Sequence, residues 1–413
     1  MPYNSPKSAL GNYFPKGLRG IFLEGEQEAL EKLKSNNGQL EITQNWPREF
    51  HSSALSWSGH NFPTEGSYTL RLGSEEIDEI EAALKSVETC GIALDDIKKS
   101  NFPLPTLGSR LQKLSETVHH GSGIAMVKGL APEKYTSDQN LFIYFGLSSY
   151  LGENRARQKA DGRRMARIFH KFGNSIEQRD GASIFNASSP MAFHNDLVCD
   201  VLAFYCLDQA SEGGESLFAS LYRIYNELVM TKPSLVEALA MHNWPFDTYG
   251  YEPPYFLRPL LFLEDGKLIS SFAMRPLIGS ESYPRTEGIP SLTEIQREAL
   301  DEFQKCAQKH QVEIRMQAGD MLFVNNLAIL HSRRPFQDSE EHKRHLVRLW
   351  LRNEEMAWRT PAPLARVWMR KFGNMDEVHG DWSTLSPQDD ERRNSVLKRP
   401  MSCGSSSGED KIW

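Results

Sequence analysis

A histidine and an aspartate separated by one residue are the first feature of this chain that could do chemistry. They are His194 and Asp196, in the segment FHNDLVCDVLAFY. On an extended chain, residues i and i+2 point to the same face, so the imidazole and the carboxylate can converge on one ion. By the same rule, Phe193 and Asn195 point the other way. The spacing therefore favours a metal site at this position.

A third ligand is needed to complete such a site, and His331 is our candidate. It follows the apolar run MLFVNNLAIL, which a Gly319-Asp320 turn introduces. Two histidines and one carboxylate on one face of an octahedron leave three positions open, which is the arrangement of non-haem iron(II) oxygenases. A second HxD sequence, at His379, has no strand-like flanks and no histidine after it, so we do not regard it as a site.

Composition sets the class of protein but not its activity. The chain has 413 residues, enough to bury a sizeable core, with 39% hydrophobic and 24% charged residues. A formal net charge of -7 gives no reason to expect nucleic acid or an anionic membrane as a partner. The five cysteines are scattered without a CxxC pair, which favours free thiols in a reducing compartment. No secretory h-region and no run of 18 apolar residues occur, so we expect a cytoplasmic location.

The order of predicted elements indicates a mainly β protein with α inserts. Helical spacing begins after Ser74 and recurs from 107 to 118 and from 137 to 151, where Ser137 is the expected cap. Two further helices are predicted near 220–242 and 293–309. The second insert opens with a capping box, Thr293 to Gln296. Short apolar runs separated by polar turns suggest a sandwich or barrel. These predicted strands are Met165–Phe169, Leu197–Leu207, Leu257–Leu263, Leu268–Phe272, Val312–Met316, Met321–Val324 and Leu346–Leu351.

Six stretches of the chain resemble the taurine dioxygenase (TauD/TfdA) family of iron(II)- and 2-oxoglutarate-dependent oxygenases. The branch that it resembles most includes γ-butyrobetaine hydroxylase-like proteins and fungal members of secondary metabolism. The stretches are FPLPTLGSRL, YTSDQNLFIYFGLSSYLGENRARQ, FHND, SEGGESLFASLYRIYNEL, QAGDMLFVNNLAILHSRRPF and RHLVRLWLRN. The resemblance implies a dioxygenase with iron(II), 2-oxoglutarate and dioxygen, and with His194, Asp196 and His331 as metal ligands and catalytic centre.

The same resemblance implies a fold and its division. We expect a double-stranded β-helix, or jelly roll, with an α/β N-terminal part in the same domain. The predicted divisions are an irregular N-terminal segment at 1–70, an α/β buttress at 71–165, the oxygenase core at 166–384 and a flexible tail at 385–413. A homo-oligomer is left open.

Cosubstrate residues also follow from the resemblance. The family places a Ser or Thr after a Gly-Gly-acidic turn, which corresponds to Ser216, and an Arg after the distal histidine, which corresponds to Arg344. A second Arg four residues later, Arg348, is expected near both metal and substrate. On a strand, Arg344 and Arg348 share one face with Trp350, and a buried arginine needs an anion such as a dicarboxylate. For Ser216 a helix-entry cap, and for Arg348 a structural ion pair, are the alternatives.

The substrate is expected to be a small anionic molecule such as an amino acid, oxidised by hydroxylation, desaturation or ring closure. Arg348, Arg275 and Phe193 are assigned to its binding. Arg334 is a further candidate, although the Arg333-Arg334-Pro335 run is equally typical of an exposed turn. An oxygenase of a bulky neutral secondary metabolite, or a non-catalytic jelly-roll binding protein, is the alternative. A zinc hydrolase would need a base beside the metal-bound water, and no HExxH motif is present.

Overall fold

A seven-stranded and a three-stranded β-sheet, three two-stranded sheets and the helices around them make up the part of the chain that the structure, a computed structural model, describes. That part comprises residues 46–50, 53–157, 165–169, 191–197, 199–249, 253–280 and 284–372. The helices are α1 (Glu65–Tyr68), α2 (Ser74–Cys90), α3 (Leu107–His120), α4 (Ser137–Ser149), α5 (Leu221–Thr231), α6 (Pro233–Ala240), α7 (Arg275–Ile278), α8 (Glu294–His310) and α9 (Ala362–Phe372).

The strands alternate with these helices along the chain. They are β1 (Thr69–Arg71), β2 (Ile124–Lys128), β3 (Asn154–Arg155), β4 (Met165–Phe169), β5 (Val201–Asp208), β6 (Glu212–Gly213), β7 (Ser216–Ser220), β8 (Trp244–Asp247), β9 (Tyr255–Arg258), β10 (Leu261–Glu264), β11 (Lys267–Ser270), β12 (Val312–Ile314), β13 (Met321–Asn325), β14 (Ile329–Arg333), β15 (Phe336–Gln337) and β16 (His345–Arg352). The result is a mixed α/β fold.

The larger sheet has seven strands in the order β1-β2-β13-β5-β16-β3, with β4 also paired to β16. Its strands are antiparallel except for the β1–β2 pair. Because side chains alternate along a strand, one face of β5 and β16 carries Ala203, Tyr205, Val347 and Leu349. These residues belong to a buried cluster with the apolar faces of α2, α3 and α4. The N-terminal helices therefore buttress one face of this sheet.

The opposite face of the larger sheet looks towards a smaller sheet. The smaller sheet has the order β12-β7-β14 and is antiparallel throughout. Its core side is continuous with α5, α6 and α8, which pack against each other, and α5 and α8 also pack against β7. Strand β13 belongs to the larger sheet, and a short turn after it leads the chain into β14, which pairs with β7 in the smaller sheet. Residues of both sheets can therefore face one cavity.

Several predicted elements differ from the observed ones for local reasons. The predicted strand Leu257–Leu263 is two strands, β9 and β10, because Pro259 has no N–H to donate to a ladder. The predicted strand Leu197–Leu207 begins only at Val201. The predicted insert 220–242 is two helices that meet at Lys232, the residue before Pro233, where a helical conformation is disfavoured.

The capping prediction for α8 is confirmed, and the predicted cap of α4 needs correction. The Thr293 hydroxyl accepts a hydrogen bond from the Gln296 backbone N–H, and the Thr293 backbone N–H donates to the Gln296 side-chain oxygen. The cap of α4 is Thr136 rather than Ser137. Helix α9 was not predicted at all. The predicted tail, 385–413, and most of the predicted irregular segment 1–70 lie outside the described residues. Among the described residues, no helix combines the length and apolarity needed to cross a bilayer.

Candidate metal centre

A cavity between the two sheets collects most of the residues that the sequence singled out. In the smaller sheet, Ser216 pairs with Arg333 and Phe218 with His331, so these four side chains share one face. In the larger sheet, Phe204 pairs with Arg348. The cavity is lined by Met191, His194, Phe204, Ser216, Phe218, His331, Ser332, Arg333, Arg344, Leu346 and Arg348.

His194, Asp196 and His331 come together at this cavity. The Nε2 atoms of His194 and His331 lie 4.0 and 3.9 Å from Asp196 Oδ1. One ligand atom from each residue falls within 4.8 Å of the other two, a cluster that could hold a metal ion. Backbone hydrogen bonds in both directions between His194 and His331 fix the two segments side by side. The sequence prediction of these three as neighbours agrees with the structure.

The protonation states of the two imidazoles suit a divalent cation. Burial, followed by the charge of His194, lowers the pKa of His331 to about 3, and burial also lowers the pKa of His194. The Nδ1 atom of His194 lies 3.0 Å from the Ala192 carbonyl and donates to it, which leaves the lone pair on Nε2. Within the described residues that Nε2 is buried with no hydrogen-bond partner. Such an orphaned acceptor beside a carboxylate fits a metal ligand.

The Asp196 carboxylate is held in a fixed orientation. Arg348 Nη1 donates to Oδ2 at 3.0 Å, and the indole Nε1 of Trp350 donates to the same oxygen at 2.7 Å. Burial raises the pKa of Asp196, but Arg348, the two histidines and the Trp350 hydrogen bond outweigh it, and the net pKa is lowered. Strand alternation predicts that Trp350 shares a face with Arg348, but the sequence indicates no role for it.

A buried arginine lies at the other end of the cavity. Arg344 is only 7% exposed, and its backbone N–H donates to Asp338 Oδ1 at 2.9 Å. Gly214, at φ +78°, makes room for it, since a Cβ there would lie 3.2 Å from Arg344 Cδ. Ser216 follows two residues later and lines the same cavity. Both predicted cosubstrate residues are therefore at one end of the cavity.

Sequence reasoning missed Arg333 as a cavity residue. It was read as part of a turn with Arg334, but it is the last residue of β14 and only 5% exposed. Its guanidinium lies 4.7 Å from the Phe336 ring centroid, and that of Arg344 lies 5.4 Å from the same ring. Burial, followed by the charge of Arg344, lowers the pKa of Arg333. The available signal was strand alternation, because residue i+2 from His331 must face the same way.

The other predicted substrate residues lie away from this cavity. Phe193, predicted as a substrate contact, is 2% exposed in the core, and its backbone is held by Gln304 of α8. Arg275 begins α7 and lies against the Tyr249 ring, 5.2 Å from its centroid. Arg334 is an exposed residue paired with Glu313 at 2.5 Å. The pairing of Arg348 with Asp196 matches the alternative of an ion pair at the metal site.

Two buried amides hold the loop that carries His194 and Asp196. The Asn326 side chain accepts from the Asp196 backbone N–H and donates to the carbonyls of Asp196 and Cys199. The Asn195 side chain donates to the carbonyls of Asn326 and Ile329 and accepts from Ser270 and Phe272. These contacts replace strand pairing just before β5, which explains why that strand starts late.

Comparison with known families and proteins agrees with this geometry. The family model described as "Taurine catabolism dioxygenase TauD, TfdA family" matches residues 89–350. The taurine hydroxylase-like protein SAT17 of Stachybotrys chartarum is 34% identical over 337 residues, 80% of this chain and 87% of that protein. FR-33289 synthase of Streptomyces rubellomurinus is 28% identical over 286 residues, 67% of this chain and 82% of that protein.

Solved structures show the same fold at low sequence identity. Asparagine oxygenase with Fe(II), 3-hydroxyasparagine and succinate has a TM-score of 0.54 at 16% identity, covering 69% of this chain and 93% of that one. The non-haem iron oxygenase OrfP with Fe and α-ketoglutaric acid has a TM-score of 0.51 at 16% identity, covering 69% and 94%.

Proposed function

The chain belongs to the taurine catabolism dioxygenase (TauD/TfdA) family of iron(II)- and 2-oxoglutarate-dependent oxygenases, and we propose that it oxidises a C–H bond of a small molecule. The observation that carries the proposal is the convergence of His194, Asp196 and His331 on one cavity that also holds a buried arginine. Two neutral imidazoles and one carboxylate are the donor set of this enzyme class.

The chain's own residues would divide the work between metal and cosubstrate. Bound iron(II), with 2-oxoglutarate and dioxygen, supplies the oxidising power, and the cosubstrate leaves as succinate and carbon dioxide. His194, Asp196 and His331 would hold the ion and leave one side of it open. Arg344 would bind the distal carboxylate of the cosubstrate, and Ser216 would donate a hydrogen bond to it. The apolar residues Phe204, Phe218 and Leu346 limit water access to this cavity.

We also propose that the two facing sheets form a double-stranded β-helix. In this reading, β5, β13 and β16 of the larger sheet face β7 and β14 of the smaller one across the metal centre. Low identity to the similar solved structures still fits a common fold, because packing pattern is retained longer than individual residues.

The class of substrate is the open part of the proposal. The expectation of an anionic small substrate, such as an amino acid, rests on Arg348. That guanidinium donates to Asp196, so it is already engaged in balancing the metal carboxylate. This contact favours the second candidate, a bulky neutral metabolite, unless other cations bind the substrate. Arg333 lines the cavity and is the cation best placed to do so.

A substrate panel separates the two candidates. Purified enzyme would be incubated with iron(II), ascorbate and 2-oxoglutarate, together with amino acids, betaines, sulfonates or neutral terpenoids and alkaloids. Succinate release above the substrate-free background is the measurement. Stimulation by anions only supports the first candidate, and stimulation by bulky neutral compounds only supports the second. If iron-loaded protein releases no succinate, either with or without a substrate, that result would contradict the oxygenase assignment.

A further inference from the structure

Two buried aspartates four residues apart, Asp196 and Asp200, are each bound by one arginine and one tryptophan. Trp368 Nε1 donates to Asp200 Oδ1 at 2.9 Å, and Arg352 Nη1 donates to Asp200 Oδ2 at 2.7 Å. Asp200 therefore uses both carboxylate oxygens within the protein. It is 3% exposed, and its contacts join α9 to the start of β5.

Asp196 is bound by the same two residue types in a different way. Arg348 and Trp350 both donate to Oδ2, and Oδ1 faces the two imidazoles. Charge balance alone would be met by Arg348 at either oxygen. Placing both donors on one oxygen leaves the other oxygen available in a single direction, which a monodentate metal ligand requires.

Trp350 is the more rigid of the two donors. An indole has one N–H in the plane of a ring with two rotatable bonds, whereas a guanidinium has several N–H groups on a long stem. The backbone of Trp350 is fixed by pairing with Leu202 in the sheet. Its ring is 6% exposed, and Lys371 Nζ of α9 lies 5.9 Å from the ring centroid. The direction of the N–H is therefore set by the sheet and by α9.

We propose that Trp350 is a positioning residue, which keeps Asp196 Oδ1 directed at the metal by binding Oδ2. The inference rests on the proposed function, since it assigns a role towards the same metal. Groups that orient metal ligands in this way typically change metal affinity or activity 10- to 100-fold when removed. In this account Arg348 balances the negative charge of Asp196, and Trp350 fixes the orientation of the carboxylate.

The test compares two tryptophan substitutions that remove the same chemical group. Trp350→Phe removes the N–H that contacts the metal carboxylate. Trp368→Phe removes an equally buried N–H from Asp200, which is not a predicted ligand. Affinity for iron(II) or Mn(II) would be measured anaerobically by titration calorimetry on full-length protein. The visible charge-transfer band of the anaerobic iron(II)–2-oxoglutarate complex provides a second readout, and thermal unfolding monitors the fold.

We expect Trp350→Phe to weaken metal binding about 10- to 100-fold and to shift or weaken the charge-transfer band. We expect Trp368→Phe to keep the wild-type band and metal affinity, even if its unfolding temperature falls by as much as that of Trp350→Phe. Equal metal affinity in wild type and Trp350→Phe would overturn the inference, and so would an equal loss in both variants. Absence of metal binding by wild-type protein would instead overturn the proposed function, and the inference with it.

Discussion

At the scale of single residues, Arg344 is the side chain whose surroundings most require a ligand. It is buried, it lines the cavity, and the nearby charge of Asp338 only partly offsets the cost of burying its guanidinium. Its pKa is lowered to about 10 by burial, against the opposing influence of Cys206 and Asp338. An anion bound beside the guanidinium would stabilise its charged form and raise its pKa again. A dicarboxylate cosubstrate bound at this position would supply such an anion.

Arg344→Ala should raise the 2-oxoglutarate requirement steeply. Leaving a buried carboxylate without its partner costs about 3–5 kcal/mol, or roughly a hundredfold to a few thousandfold in affinity. Ser216→Ala removes one hydrogen bond to a charged group, about 1.5–3 kcal/mol, so its effect should be smaller. The measurement is the 2-oxoglutarate dependence of succinate release.

Arg334→Ala is the matched control for this pair, since Arg334 is exposed and paired with Glu313. It should behave as wild type. A larger defect in Ser216→Ala than in Arg344→Ala would show that the cosubstrate lies elsewhere in the cavity.

Single-residue predictions from the sequence succeeded where strand alternation was applied and failed where it was not. The alternation brought His194 and Asp196 to one face. The same rule points Phe193 into the core, so assigning it to substrate contradicted the rule. It also places Arg333 beside His331, which the turn reading of Arg333-Arg334 obscured. The partner of Trp350 could not be predicted, because Asp196 is distant in sequence and only sheet pairing brings the two together.

At the scale of elements, the metal loop is held by side-chain amides instead of by a strand ladder. Asn326 lies in the turn between β13 and β14 and makes three hydrogen bonds to the backbone of Asp196 and Cys199. Both ligand-bearing segments therefore depend on one turn. The sequence showed this turn as part of an apolar run, and the pattern gave no sign that its asparagine reaches the HxD segment.

Asn326→Ala should destabilise the protein and loosen the metal site together. It leaves buried backbone groups unpaired, and we expect a loss of about 2–4 kcal/mol in the free energy of unfolding. Urea denaturation and iron(II) titration are the measurements. Asn154→Ala, which removes an exposed contact to Glu354, should change neither. Unchanged stability and metal affinity in Asn326→Ala would show that the hydrogen bonds of Asn326 do not hold the metal-binding loop.

Element boundaries were predictable where a local residue sets them. Thr293 and Gln296 specify the start of α8, and the residue preceding Pro233 marks the break between α5 and α6. Pro259 should have split its predicted strand, because proline cannot donate to a ladder. Helix α9 was missed although Leu364, Val367 and Trp368 fall at helical spacing. Its contacts with Asp200 and Arg157 could not be predicted, because these residues are far away in sequence.

At the scale of the whole molecule, a buried histidine outside the metal site makes stability depend on pH. His119 lies in the last turn of α3, is 3% exposed, and its Nδ1 lies 2.8 Å from the Ser115 carbonyl. Burial is the main cause that lowers its pKa from 6.5 to about 4. The unfolded chain then binds a proton that the folded one resists, so stability present above pH 6.5 is lost as the pH falls towards 4.

His119→Asn should flatten the acid limb of the stability curve. The substitution keeps an N–H for the Ser115 carbonyl, but the asparagine cannot be protonated. Wild type should lose about 3 kcal/mol in the free energy of unfolding between pH 6.5 and 4 through His119, and the variant should not show this loss. Unfolding of iron-free protein at a series of pH values is the measurement. The exposed neighbour His120 provides the control, as His120→Asn. If His119→Asn and wild type lose stability in parallel, protonation of His119 is not the cause.

The central claim, a His-Asp-His iron site that presents 2-oxoglutarate to dioxygen, is tested most directly by anaerobic spectroscopy. Wild-type protein with iron(II) and 2-oxoglutarate should show a weak visible charge-transfer band, which marks a chelated cosubstrate. Ala substitutions of His194, Asp196 and His331 should each abolish it, because each removes one of three protein ligands, whereas His379→Ala should retain it. Absence of the band in wild type, or its persistence in any of the three ligand variants, would contradict the account.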